Sequence, residues 1–142
     1  MEMQTFNTHH LVKEADLNHH GTLYAGRGAD WIVESSFIAA SSLTTTKSIV
    51  CLKIHGMLFL KPVPLGSLLR FESKIVHAGK TSLTAYTRVV FAQTNEFIVD
   101  AYITFIHINP ATSEPTPHGL TIEAKTPEEK VQQEQVITYL KK

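Results

Sequence analysis

A chain of 142 residues has the length of one domain and enough of it to enclose a hydrophobic core. With 43% hydrophobic and 18% charged residues it reads as globular rather than disordered. Its 13 basic and 13 acidic side chains cancel, which leaves no basic field for nucleic acid or anionic lipid.

The single cysteine, Cys51, excludes an internal disulfide and suits a reducing cytoplasm. The opening stretch MEMQTFNTHHLVK has no apolar signal core. No run approaches the roughly 18 apolar residues of a helical membrane span.

Residues 5–12 pattern weakly as a strand, and Lys13, Glu14 and Ala15 lead into a polar turn, Asp16-Leu17-Asn18-His19-His20-Gly21-Thr22. After the small step Ala25-Gly26 a helix is predicted over 26–40. Ala29, Ile32, Val33, Ser36, Phe37 and Ala40 recur at three- and four-residue spacing and form one apolar face. Trp31, Ile38 and Ala39 make much of the rest apolar, so burial on most sides is expected. Arg27, Asp30 and Glu34 share one face of the same helix. Charges there must be paired or must face a cleft in which they do chemistry.

Beyond a polar loop at 41–47 the pattern turns to strands. Over 48–61, Val50, Leu52 and Ile54 alternate as in a half-buried strand, Gly56 suggests a bulge, and Phe59-Leu60 resumes the run. Lys61-Pro62-Val63-Pro64-Leu65-Gly66 is a rigid turn. Strands follow at 68–76, 81–92 and 97–108, joined by the turns Ala78-Gly79-Lys80 and Thr94-Asn95-Glu96. The last strand is apolar nearly throughout and is expected in a central position. Pro110, Pro115 and Pro117 mark the next stretch as loop. Thr126-Pro127-Glu128-Glu129 starts a C-terminal helix through its cap, its proline and its acids, and Lys141 and Lys142 close it. The chain shows no internal repeat and reads as a single domain over 1–142, with a core at 5–109 and a loop plus helix at 110–142. Short connections imply antiparallel pairing. The expected class is α+β: a five-stranded antiparallel sheet wrapped around a long central helix, with a short C-terminal helix.

Several stretches together resemble the hotdog-fold acyl-CoA thioesterases, in particular the cytosolic acyl-CoA hydrolases. They are Asp16-x-Asn18-x-x-Gly21, Leu23-Tyr24-Ala25-Gly26, Met57-Leu58-Phe59-Leu60-Lys61-Pro62-Val63 with Gly66, Ala78-Gly79-Lys80-Thr81-Ser82, and Thr104-Phe105-Ile106. The resemblance spans roughly residues 6–109 and rests on the order and spacing of the pieces. It implies that two subunits join their sheets edge to edge, that active sites lie at the dimer interface, and that dimers assemble further into tetramers or hexamers. The acyl chain would enter between sheet and helix, with coenzyme A across the subunit boundary. Coenzyme A is then part of the substrate, and no separate cofactor, metal, nucleic acid or membrane is expected. The sequence departs from the family at two points. The acid usually found seven residues after the Gly-Gly pair falls on Val33, one residue before Glu34, and a one-residue shift turns a side chain by about 100° on a helix. Thr22 stands where relatives carry Asn or Asp.

Thioester hydrolysis needs a base for water or a carboxylate nucleophile. Glu34 is the candidate, against a plain ion pair with Arg27. Asp30, one turn earlier, can tune Glu34 or be the acid itself, and otherwise partners Arg27. The unpaired N–H groups of a helix start, at Ala25 and Gly26, can form an oxyanion hole; the alternative is a tight helix junction. In the preceding loop His20 or Thr22 can orient water or hydrogen-bond the thioester, with Asn18 and Gly21 shaping the binding turn. Gly79, Lys80, Thr81 and Ser82 can hold a phosphate or the pantetheine, and otherwise form a plain hairpin turn. Lys61 and Arg70 are further candidates for phosphate contacts. Adjacent histidines such as His9 and His10 point to opposite faces of a strand, and no metal-ligand spacing is present among the eight histidines. Hydrolysis of an acyl-CoA is the leading function. An acyl-thioester hydratase or dehydratase using His20 and Glu34, and a non-catalytic acyl-CoA-binding protein, are the alternatives.

Overall fold

The structure, a computed structural model, describes residues 1–141. Lys142, read above as one of the two lysines closing the last helix, lies outside the described residues. The strands are β1 (Phe6–Leu11), β2 (Ile49–Met57), β3 (Leu68–Ala78), β4 (Ser82–Phe91) and β5 (Phe97–His107), and the α-helices are α1 (Ala25–Ser42) and α2 (Pro127–Leu140). A short 3-10 turn over Glu14–Asp16, unforeseen in the sequence, precedes the polar turn.

All neighbouring strands are antiparallel, in the order β1-β3-β4-β5-β2. The chain therefore starts at one edge of the sheet, crosses its face as α1 and enters the other edge as β2. The β4–β5 turn is tight because Asn95 takes a positive φ of 62°, which asparagine tolerates better than most residues. The last strand is interior, but the middle position belongs to β4. One face of the sheet, with Phe71, Ile75, Leu83, Ala85, Val89, Ile103 and Phe105, packs on Ile32, Ala39 and Ala40 of α1. Alternate residues Tyr86 and Tyr102 point the other way. There, with Val76, they meet Val136 and Tyr139 of α2. Helix α2 starts as its sequence says: Thr126 Oγ1 accepts from the Glu129 N–H, and the Glu129 carboxylate accepts from the Thr126 N–H.

Two expectations are corrected. Helix α1 is not buried on most sides. Its deep face is Gly28, Ile32, Ser35, Ser36, Ala39 and Ala40, and Ala29, Trp31, Val33, Phe37 and Ile38 on its flanks are only half-buried. The glycine and serines mark the buried face because they let the helix lie close to the sheet. Strand β2 is not half-buried either: Val50, Leu52 and Ile54 are 44%, 62% and 46% exposed. It is an edge strand, and its outer side has no strand neighbour among the described residues. The bulge expected at Gly56 is present as a register shift between Ile54 and Met57, with Gly56 at φ 138°. The strand ends there, and Phe59 leaves the sheet for the underside of α1.

Candidate active site

The turn before α1 is a small closed loop. Leu17 bridges Leu23, and Asn18 N–H donates to the Thr22 carbonyl (2.8 Å). Asn18 Oδ1 accepts from the His20 and Thr22 N–H groups (2.9 and 3.2 Å), and its amide donates to Thr22 Oγ1 (3.2 Å). Gly21, at φ 81°, makes the reversal. Asn18, Gly21 and Thr22 are thus joined in one turn, with His19 and His20 exposed at its tip.

Below that tip the loop is tied down. The Leu23 N–H donates to the Val63 carbonyl and the Tyr24 N–H to the Asp16 carbonyl. Asp16 is the buried carboxylate of this region, 4% exposed. It accepts from the Lys13 N–H (2.9 Å) and pairs with Arg27 (3.5 Å). The expected pairing of Arg27 with Asp30 or Glu34 is therefore corrected: the loop folds back and presents a nearer, less solvated carboxylate to the guanidinium.

Helix α1 starts at Ala25 with Tyr24 as a cap that lends no side-chain hydrogen bond. The Arg27 and Gly28 N–H groups donate to the Tyr24 carbonyl (3.0 and 3.1 Å). Those of Ala25 and Gly26 have no partner among the described residues. The Tyr24 ring lies over Gly26, where an added Cβ would sit 2.5 Å from ring carbon Cε2. Two free donors at the positive end of an 18-residue helix can stabilise an oxyanion, with the exposed Tyr24 ring beside them.

Next to the helix start lies an apolar cavity of about 20 Å³, walled by Leu23, Gly28, Ile32, Phe59, Phe71 and Val89 among others. Gly28 opens it: a Cβ there would stand 3.3 Å from the Phe59 ring. Beyond its inner end sit four buried hydroxyls, Ser35, Ser36, Ser73 and Thr87. They are visible in the sequence only as polar breaks in apolar runs.

Glu34 is exposed, as is Asp30. Along the axis Glu34 stands eight residues from Gly26, about 12 Å away. With Arg27 and Trp31 it lies toward β1, where Trp31 stacks on His10 (ring centroids 4.3 Å apart). Burial lowers the His10 pKa, and the charges of Glu34 and Asp16 pull it partly back. Val33 lies on the opposite flank with Phe37, which packs edge-to-face on Phe105 of β5.

Gly79, Lys80, Thr81 and Ser82 form the β3–β4 turn, with the Gly79 N–H on the Ser82 carbonyl. His118 and His107 pack beside it, through His118 Nε2 on the Ser82 carbonyl and the His107 N–H on the Thr81 carbonyl. This turn is at the far end of β3 from the α1 start, roughly 30 Å away at 3.3 Å per residue. One chain does not bring the two together. Lys61 is half engaged, on the Phe97 carbonyl and Glu96. Arg70 is held by Glu72, Asn95 and the Ala92 carbonyl. Among the described residues no three His, Cys, Asp or Glu side chains cluster as a metal site, and no helix is long and apolar enough to cross a membrane.

A helix laid across one face of an antiparallel sheet in this strand order, its open N-terminus beside an apolar cavity, is the arrangement of the hotdog fold. The chain belongs to the thioesterase superfamily, whose family model matches residues 20–97. Solved structures with the same fold include an apo-hexameric acyl-CoA thioesterase, 24% identical with a TM-score of 0.82, covering 96% of this chain and 88% of that one. An acyl-CoA hydrolase from Staphylococcus aureus, in complex with butyryl coenzyme A, coenzyme A and coenzyme A disulfide, is 19% identical with a TM-score of 0.83, covering 96% and 82%. An acyl-CoA hydrolase from Bacillus cereus is 22% identical with a TM-score of 0.81, covering 96% and 84%. No curated protein matches the chain significantly.

Proposed function

We propose that this protein hydrolyses an acyl-CoA thioester to the free acid and coenzyme A. The observation that carries the reading is the pair of unpartnered N–H groups at Ala25 and Gly26 beside an apolar cavity under α1. The thioester carbonyl accepts from those donors as negative charge develops on its oxygen. The acyl group enters the cavity, and water activated by Glu34 attacks. His20 and Thr22, at the mouth, orient the substrate, with Asn18 and Gly21 holding the turn in shape. Superfamily membership and the acyl-CoA hydrolases that share the fold support this reading.

The same geometry argues for more than one subunit. A carbonyl held at Gly26 is about 12 Å along the axis from Glu34 of its own helix, and Glu34 faces β1 rather than the β2 edge, so the carboxylate comes from another chain of the larger assembly and not from a partner joined across β2. The open β2 edge, with Leu52 and Ile54 exposed, is the surface a second chain would extend. Antiparallel pairing across it reverses the partner's ends, so the partner's Gly79, Lys80, Thr81 and Ser82 lie at the level of this chain's Gly26, where they and Lys61 can take the coenzyme A phosphates. We read residues 1–142 as one hotdog unit with α1 as its central helix. It acts in the cytoplasm as a homodimer that assembles further, with no cofactor beyond the coenzyme A of its substrate.

Thiol release from a panel of acyl-CoAs tests this. Glu34→Gln is expected to lower kcat by about a hundredfold or more, with Asp30→Asn as the comparison. Undiminished hydrolysis in Glu34→Gln removes Glu34 from the mechanism. Hydration of an enoyl-CoA without thiol release favours a hydratase, and binding with neither reaction favours an acyl-CoA-binding protein.

A further inference from the structure

We infer that a hydrogen-bonded seam of four buried hydroxyls, Ser35, Ser36, Ser73 and Thr87, is the ruler that restricts the substrate to short acyl groups. The inference rests on the acyl-CoA reading above and names the residues that set chain length.

The seam begins where the cavity stops. Phe71 and Val89 wall the cavity, and Ser73 and Thr87 lie two residues further along the same face of β3 and β4. Ile32 walls it from the helix side, and Ser35 and Ser36 are the next turn of α1. The bonds are short and continuous: Ser35 to Ser73 at 2.6 Å, Ser73 to Thr87 at 2.6 Å, Thr87 to Ser36 at 2.7 Å, and Ser36 to the Ile32 carbonyl at 2.8 Å. Each hydroxyl has one proton, and that of Ser36 goes to the Ile32 carbonyl. Thr87 therefore donates to Ser36, Ser73 to Thr87, and Ser35 to Ser73. The chain has one direction and no spare donor. All four residues are at most 1% exposed, so no water can replace a broken partner.

The space before the seam is small. A cavity of about 20 Å³ exceeds the roughly 10–15 Å³ that one water needs by little, so even a butyryl group enters only by displacing Leu23 and the part-exposed Phe59 ring, which rotamer shifts allow. A longer chain must lengthen the cavity along α1. In an apolar core that needs only rotamer shifts. Here it must part α1 from β3 and β4 and leave hydroxyls unpartnered, which is the costly outcome. Stability does not require the seam, because apolar groups of similar shape serve a core as well. Its placement at the blind end of the cavity is what a length limit needs.

The test is the ratio of kcat/KM for octanoyl-CoA to that for butyryl-CoA. In the unaltered protein it is expected to be about one tenth or less, since one methylene in a tight pocket already discriminates by about tenfold or more. The variant Ser35→Ala, Ser36→Ala, Ser73→Ala, Thr87→Val removes every hydroxyl of the seam and leaves none unpartnered. Its ratio is expected to rise about tenfold or more. Octanoyl- or palmitoyl-CoA preferred by the unaltered protein, or an unchanged ratio in the folded variant, overturns the proposal. If the variant does not fold, the profile of the unaltered protein decides. If no acyl-CoA is hydrolysed, the hydrolytic reading falls, and the ruler is judged by affinities for the same series, a flat profile overturning it.

Discussion

Gly26 separates stability from activity at a single residue. A Cβ there meets only the outer part of the Tyr24 ring, an exposed side chain that can swing away. Gly26→Ala should therefore leave the melting temperature unchanged or raise it slightly, since alanine in a helix is favoured over glycine by about 0.5–1 kcal/mol. Thiol release should drop sharply, because the methyl group stands where the thioester approaches the N–H donors. Asp16 behaves in the opposite sense. Asp16→Ala leaves the Lys13 N–H and Arg27 without their acceptor and should cost about 1–3 kcal/mol, read from urea denaturation. The sequence showed Arg27, Asp30 and Glu34 as neighbours because helical spacing is local. It did not show Asp16, which reaches Arg27 only through the closed turn. The hydroxyl seam was hidden for the same reason: its three hydroxyl–hydroxyl bonds join residues 14 to 51 apart.

The strands and both helices were legible as elements because alternation and helical spacing report local geometry. Burial was less so. The alternation of Val50, Leu52 and Ile54 reads as one buried face whether the covering surface belongs to this chain or to another, and here this chain does not supply it. The apolar face predicted for α1 is turned too far toward Phe37, because Gly28 and Ser35 add little to an apolar count yet lie deepest. Helix α2 carries a prediction of its own. His55 stacks on Tyr139 of α2 (5.6 Å) and hydrogen-bonds Thr104 (2.7 Å). Burial depresses the pKa of His55, and of His77 on β3. Both rings thus bind protons less readily in the folded state than in the unfolded chain. Their contribution to stability is complete above the ordinary histidine value of about 6.5 and is lost as pH falls below it through the depressed values. Thermal melts between pH 7.5 and pH 5 should show a falling midpoint, and His55→Phe, which keeps the stacking, should flatten part of that slope.

For the whole molecule the decisive question is what covers β2. Leu52→Lys places a charge on the open edge and should yield monomers by light scattering, with thiol release lost in parallel. Hydrolysis by a monomer would show that one chain holds a complete site. Mixing an inactive Gly26 variant with Glu34→Gln should restore part of the activity, because mixed assemblies keep some pairings of an intact Gly26 with another chain's Glu34.

An uncovered greasy border also ties output to abundance. If the working unit needs two chains, the rate per chain declines on dilution instead of staying constant. A cell making little of this protein would then hold mostly idle copies whose bare strand invites aberrant stacking. Expression level would act as the throttle, with no effector required.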